Sequence, residues 1–299
     1  MNLYRMHLKT DVKDLGLRKE LIGTCLNNGF FAIGWSFLHQ DREIKTPEDL
    51  INTAKEHYGK VPPSLSTFLK VQPNDLIWTR DLDGCGFLCR VVSKAKPEVN
   101  HRLDIGCILE VENFKIGTSM PGRVVSSFIP SKAIQQICDN KIMAFSQVLY
   151  NDKSKSDHYE IKCKGLDLFG LLHPLDVEEL VCCYVQIKFD AFLSKNSIAK
   201  KDTTIKIESE FYPRSSNSDY ESIVLQVKTG ASWVPVKEYS SYADNNKLVV
   251  LFFECEHYDS EYNNILCLSK QEILGFAYEY QDQLPPILQT SIQLCKTGL

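Results

Sequence analysis

Ile223-Val-Leu-Gln-Val-Lys-Thr-Gly230 is the stretch on which the fold of this 299-residue chain turns. It is a β-rich run closed by a Thr-Gly turn signal. Val224, Leu225 and Val227 are apolar, whereas Gln226 and Lys228 stand two apart. Strand side chains alternate between faces, so both polar groups leave the same face. Such a pair is either the solvated face of an edge strand or part of a site. Two more β-rich runs flank it, at 203–211 and 248–253, and the Pro-, Ser- and Asn-containing segment 212–219 reads as the turn joining the first two. Glu221 reads as a turn residue. Upstream, Val177, Leu180, Val181, Tyr184 and Val185 recur at i, i+3, i+4, i+7 and i+8, the apolar face of a helix over 175–185. An apolar helix is expected near 273–280. Helix, three strands and helix in that order predict an α/β domain with a mixed sheet.

Acidic residues precede the Gln-x-Lys run on elements that can converge with it. Glu178 lies near the start of the helix, Asp202 opens the 203–211 strand, and Glu208 lies within it. Phosphodiester hydrolysis needs oxygen donors to hold a hard cation, and a lysine to orient the attacking water or offset transition-state charge. These residue types supply those parts.

On Glu178, Asp202 and Gln226-Val227-Lys228, the stretch 175–230 resembles the PD-(D/E)xK nuclease superfamily, in the Mrr-like variant whose last motif is Q-x-K. The resemblance implies a restriction-endonuclease-like mixed sheet flanked by helices. By it, Asp202 ligates a metal, Gln226 stands for the second acidic ligand, Lys228 is catalytic and Glu178 assists from the helix. The chain departs from the pattern in having no proline before Asp202 and a gap of 24 residues between Asp202 and Gln226; Glu208 competes for the ligand role.

The first half reads differently. Gly29–Leu38, rich in aromatics, predicts a buried strand. Thr46-Pro47-Glu48-Asp49 predicts a capped helix over 47–58, and Leu65, Phe68 and Leu69 a short helix after Pro62-Pro63. The runs 71–80 and 86–92 around Asp81-Leu-Asp-Gly84 read as a hairpin, with further strands at 106–111 and 123–129 and a short helix at 131–139. The polar run 150–160 reads as a linker, dividing the chain into domains 1–150 and 160–299. "FFAIGWSF", the 47–58 helix and "VQPNDLIWTRDLDGCGFLCRVV" resemble PUA-like or EVE-like β-barrels, with Asn74-Asp75 where that family often has Gly-Asp. That resemblance implies an aromatic pocket for a flipped, modified base. Trp35, Phe37, Trp78 and Phe87 are the aromatics available, each also suited to a core; Arg80 and Arg123 are candidate phosphate contacts.

Composition narrows the classes. With 43% hydrophobic and 24% charged residues the chain is neither low-complexity nor disordered. No apolar run reaches the roughly 18 residues of a membrane span, and the start lacks a secretory h-region, so a cytoplasmic protein is expected, and the nuclease resemblance implies a bacterial one. The eleven cysteines lack paired zinc spacing and read mostly as small buried hydrophobes. The net charge of −4 hides an asymmetry. Residues 1–150 carry 19 Lys+Arg against 16 Asp+Glu, and residues 151–299 carry 15 against 22. A basic front suits a polyanion and an acidic rear a metal ion, although both also suit ordinary solvated surfaces.

The resemblances together imply a Mg²⁺- or Mn²⁺-dependent DNA endonuclease, a modification-dependent restriction enzyme in anti-phage defence, with Asp202, Gln226 and Glu208 at the metal. Cutting both strands needs two active sites, hence a homodimer on DNA. Two alternatives stay open, a non-cleaving nucleic-acid-binding protein with a degenerate nuclease fold and an RNA-directed nuclease.

Overall fold

The chain, in a computed structural model that describes residues 1–40, 42–160, 167–195, 207–216, 218–244 and 246–296, divides into two units, residues 1–166 and 167–297. Each combines a sheet with helices.

Unit 1 runs β1 (Leu3–Met6), α1 (Leu15–Asn28), β2 (Phe30–Ile33), α2 (Pro47–Tyr58), α3 (Pro63–Lys70), β3 (Leu76–Arg80), β4 (Gly86–Val91), β5 (Lys96–Asn100), β6 (Ile105–Gly117), α4 (Gly122–Ser127), β7 (Ile134–Gln136) and α5 (Asn140–Ser154). Among the described residues its seven strands form a curled half-barrel in the order β2-β6-β4-β3-β1-β7, with β5 also on β6. The 13-residue β6 makes the curl: its first half pairs with β2 and β5, its second with β4. The expected hairpin is β3 and β4, antiparallel from Leu76↔Arg90 to Arg80↔Gly86.

Several elements differ from the sequence expectations. The opening holds β1, which is wholly buried and pairs parallel with β3, and α1, capped by Asp14. Arg5, in the middle of β1, is fully buried and bonded to the Pro130 and Lys132 carbonyls and to Gln135. That interaction draws 134–136 into the sheet as β7, antiparallel to β1, where a helix is expected. Residues 122–127 form α4 instead of a strand: Pro121 precedes it, and Val124 and Ser127, three apart, turn the same way into the core. Asp139 caps the start of α5, accepting from Ile142 N at 3.1 Å, so the expected helix end is a helix beginning. α5 continues through the polar run to Ser154. Beyond it, Tyr159 folds back: its N–H donates to Asn151 Oδ1 (3.1 Å) and its hydroxyl to the Asn74 carbonyl (3.0 Å). The polar residues of 150–160 thus tie the segment to unit 1.

Unit 2 runs α6 (Leu168–Leu171), α7 (Pro174–Lys188), β8 (Ala191–Lys195), β9 (Ser209–Pro213), β10 (Ser222–Lys228), β11 (Lys247–Phe253), β12 (Ile265–Leu268), α8 (Lys270–Glu279) and α9 (Pro286–Lys296). The sheet order is β12-β11-β10-β9-β8. β8, β9 and β10 form an antiparallel meander, and β10, β11 and β12 run parallel. The expected helices are α7 and α8; α7 buries Val177, Leu180, Val181, Tyr184 and Val185, the stripe read from its spacing. Val224, Val249, Leu251 and Phe253 share a cluster with Val236 and Tyr239. By register Gln226 lies beside Leu251 on that same face.

Candidate functional site

The register of β9 against β10 builds the corner at which the polar residues of unit 2 meet. Leu225 pairs with Ser209, and Glu208 N donates to the Leu225 carbonyl at 3.0 Å, which sets Glu208 beside the end of the Gln-x-Lys motif. Glu208 Oε2 then accepts the Val227 N–H at 3.2 Å, and Gln226 Nε2 donates to the Val227 carbonyl at 3.0 Å. Burial raises the Glu208 carboxyl above its usual range, opposed by hydrogen bonds from the Gln226 amide and Val227 N–H and by the Lys228 charge. Gln226 is only 2% exposed, whereas Lys228 is half-buried and reaches solvent. Glu208, Gln226 and Lys228 are thus brought together at the carboxyl end of β10, beside its parallel neighbour β11. Open α/β sheets place ligand sites outside the carboxyl ends of such strands.

Glu178 approaches from elsewhere. Its helix, α7, meets the face that carries Ser209 and Leu225, as the 3.8 Å contact between Cys182 Sγ and Ser209 Oγ shows. Gln226 and Lys228 occupy the opposite face. Cys182, one turn after Glu178, lies within electrostatic range of both Glu178 and Glu208, and burial first of all pushes its thiol up to about 12. Asp202 lies outside the described residues.

Among the described residues no three His, Cys, Asp or Glu side chains gather as a metal group. The oxygens at the corner are the Glu208 carboxylate, the Gln226 amide and the Val227 carbonyl, hard donors of the kind that suit Mg²⁺ or Mn²⁺. They fit such an ion as part of a ligand set, with Glu208 as its carboxylate.

Two residues at this corner are absent from the sequence reading. Glu254, just past β11, donates its N–H to the Lys228 carbonyl (2.8 Å), and its carboxylate accepts the N–H of Gly230 (2.6 Å), which sits at φ 66°. The Phe253-Glu254 junction at the end of an apolar run was the available signal. Tyr239 is fully buried in the cluster over this face, within electrostatic range of Glu208; its hydroxyl has no hydrogen-bond partner among the described residues. Nothing local in the sequence marks it.

In unit 1 the aromatic candidates separate. Trp35 and Phe37 line an open cleft of about 760 Å³, together with Tyr58. Trp35 adopts φ 69°, a conformation costly for a bulky side chain. Asp104 fixes the turn: its carboxylate accepts the Ser36 N–H (3.0 Å), the Ser36 hydroxyl (2.9 Å) and the Asp11 N–H (2.9 Å). Trp78 is not a stacking platform: it is fully buried, with its indole N–H donating to Ser146 Oγ at 2.9 Å. Its place in a strand whose first four residues are all buried explains the difference. Phe87 is likewise core. Arg80 stacks over Phe128 at 4.9 Å, and Arg123 is exposed on α4. Asn74 takes φ 70°, the left-handed conformation that glycine favours and asparagine tolerates, and Asp75 is buried, accepting from Asn2 N (2.7 Å) and Gln72 N (2.9 Å).

No helix among the described residues is long and apolar enough to cross a membrane. Comparison with protein-family models, with curated proteins and with solved structures finds no match for the chain.

Proposed function

We propose that unit 2 is a metal-dependent nuclease of the PD-(D/E)xK kind that hydrolyses DNA, and that unit 1, a PUA- or EVE-like barrel, directs it by reading a base, probing for modification. The observation that carries this reading is the meeting of Glu208, Gln226 and Lys228 at the carboxyl end of β10. The order helix, antiparallel meander and parallel strand supports it. Glu208 and Gln226, with Asp202, would hold Mg²⁺ or Mn²⁺, which would supply Lewis acidity at the scissile phosphate. Lys228, the corner's solvent-reaching cation, orients the attacking water and offsets charge developing on the phosphoryl oxygens. Gln226 and the Val227 N–H hold the Glu208 carboxylate in place; Glu178, whose helix packs on the opposite face of the sheet, takes no direct part in this reading. The substrate is a polyanion, for which the basic balance of residues 1–150 provides attraction. In this reading the enzyme acts against foreign DNA in the bacterial cytoplasm, and two copies combine to cut both strands.

One observation favours a second reading, a protein that binds nucleic acid without cutting. Gln226 replaces a carboxylate and is almost wholly buried, with its amide engaged by the Val227 carbonyl. Incubation of the purified chain with Mg²⁺ or Mn²⁺ and phage genomes differing only in base modification separates the two. Metal-dependent breaks restricted to one modification state are expected; intact DNA that is nevertheless bound supports the second reading. An RNA arm tests the choice of polymer.

A further inference from the structure

Unit 1 carries another cleft, of about 500 Å³, lined by His7, Lys9, Arg18 and Arg80. Its one acidic lining residue is Asp81, whose Oδ1 already accepts the N–H groups of Asp83 (3.0 Å) and Cys85 (2.8 Å). Among the described residues Lys9, Arg18 and Arg80 make no salt bridge. Arg18 Nε is shielded from solvent and has no hydrogen-bond acceptor there. Arg80 and His7 are held in place. Arg80 lies over the Phe128 ring, which the His7 ring also meets edge-on at 5.3 Å, and His7 Nε2 is 3.3 Å from the Pro130 carbonyl. Buried Arg5 braces the wall behind through the Pro130 and Lys132 carbonyls.

The cleft adjoins the Trp35–Phe37 cleft, since Lys9 and Ser131 line both. Cations beside aromatic faces match the phosphate and base of a nucleotide strand. We propose that the His7–Lys9–Arg18–Arg80 cleft binds a phosphodiester of a nucleic-acid strand whose neighbouring base enters the Trp35–Phe37 cleft. This rests on reading unit 1 as the nucleic-acid reader, and names where the strand runs.

His7 reports occupancy. Burial first, then the charges of Arg5, Arg80 and Lys9, hold its pKa below 6.5, with the Pro130 carbonyl opposing. The groups around it are Arg5 and Lys9 from β1 and its extension, Arg18 from α1, and Arg80 and Asp81 from the end of β3. A phosphate seated among these cations raises the His7 pKa, so binding takes up a proton and tightens as pH falls through that midpoint.

The test uses the full chain without divalent metal, a short 5′-phosphorylated single-stranded oligothymidylate and, separately, inorganic phosphate. The His7 ring titration is followed by NMR, and affinity by fluorescence. The oligonucleotide is expected to raise the His7 midpoint. Arg18→Gln and Arg80→Gln should each weaken its binding about tenfold or more and lower the salt slope by about one, with Lys153→Gln, an exposed change on α5 away from both clefts, close to wild type. Arg80→Lys, which keeps the charge, should retain part of the affinity and guards against a folding artefact. An unmoved His7 midpoint, equal loss in Lys153→Gln, or a response to inorganic phosphate alone would overturn the proposal. If Trp35→Ala abolishes binding while both arginine variants keep it, the reader assignment stands and this cleft falls; if wild type binds no strand, both fall.

Discussion

Glu208 Oε2 accepts the backbone N–H of Val227 at 3.2 Å, which anchors a carboxylate between the side chains of Gln226 and Lys228. The acid and the Gln-x-Lys motif are thereby joined through main chain on adjacent antiparallel strands. The nuclease proposal stands on that junction.

Metal binding should depend on the protonation of Glu208. Its folded pKa is raised above the ordinary 4.5, mainly by burial, and a ligand carboxyl must ionise to bind. Mn²⁺ affinity, measured by calorimetry, should therefore climb with pH through a midpoint above 4.5 and be lost in Glu208→Gln. The raised pKa also means that this group favours the fold most at low pH; its contribution fades as pH rises from the unfolded value through the folded one. Mn²⁺ affinity that is independent of pH and of the Glu208→Gln change would contradict the assignment.

Gln226→Glu should couple stability to metal more strongly than wild type. It sets a second carboxylate at a buried position beside Glu208, so like charges lower the metal-free melting temperature. Divalent metal relieves that repulsion, and the Mg²⁺-induced rise in melting temperature should exceed the wild-type rise. Cleavage should be kept or increased. An unchanged metal response would show that the Gln226 side chain does not face the ion.

Much of unit 2 was legible because its residues obey simple periods. The stripe on α7 repeats at helical spacing, and the apolar runs of β10 and β11 end at turn signals. What local patterns could not supply is register: the position of Glu208 opposite Gln226 depends on how β9 pairs, and the arrival of Tyr239 over that face depends on the connection between β10 and β11. In unit 1, β1 escaped notice because Arg5 interrupts its apolar residues, although the arginine is buried against carbonyls. The same arginine accompanies the strand at 134–136, where a short helix over 131–139 is expected. Trp78 shows the limit at side-chain level, since a strand tryptophan reads alike whether it lines a pocket or fills a core.

The two tryptophans should therefore behave differently. Trp78→Ala empties a fully buried site and removes the indole donor to the Ser146 hydroxyl, which keeps its bond to the Ile142 carbonyl, with an expected loss of about 3–5 kcal/mol of stability by denaturant unfolding. Trp35→Ala should leave the fold intact and weaken oligonucleotide binding about 5- to 150-fold, the range for losing one base-stacking platform. If folded Trp35→Ala binds as tightly as wild type, the base pocket is elsewhere.

Tyr239→Phe should be at least as stable as wild type. The hydroxyl it removes is buried without a partner among the described residues, and an unsatisfied buried polar group costs about 1–3 kcal/mol. Thermal unfolding measures this directly, and a marked drop in melting temperature would mean that the hydroxyl bonds a group near Glu208.

The most direct test of the nuclease site is metal-dependent nicking by purified Lys228→Ala. Lys228 is half-buried and ends the strand, so its loss should leave folding unchanged. Removing a group that stabilises transition-state charge costs about 10²–10³ in rate. Wild type should nick susceptible DNA with Mg²⁺ or Mn²⁺ and not with chelator, and folded Lys228→Ala should lose at least that factor. Nicking by Lys228→Ala at the wild-type rate would contradict the account.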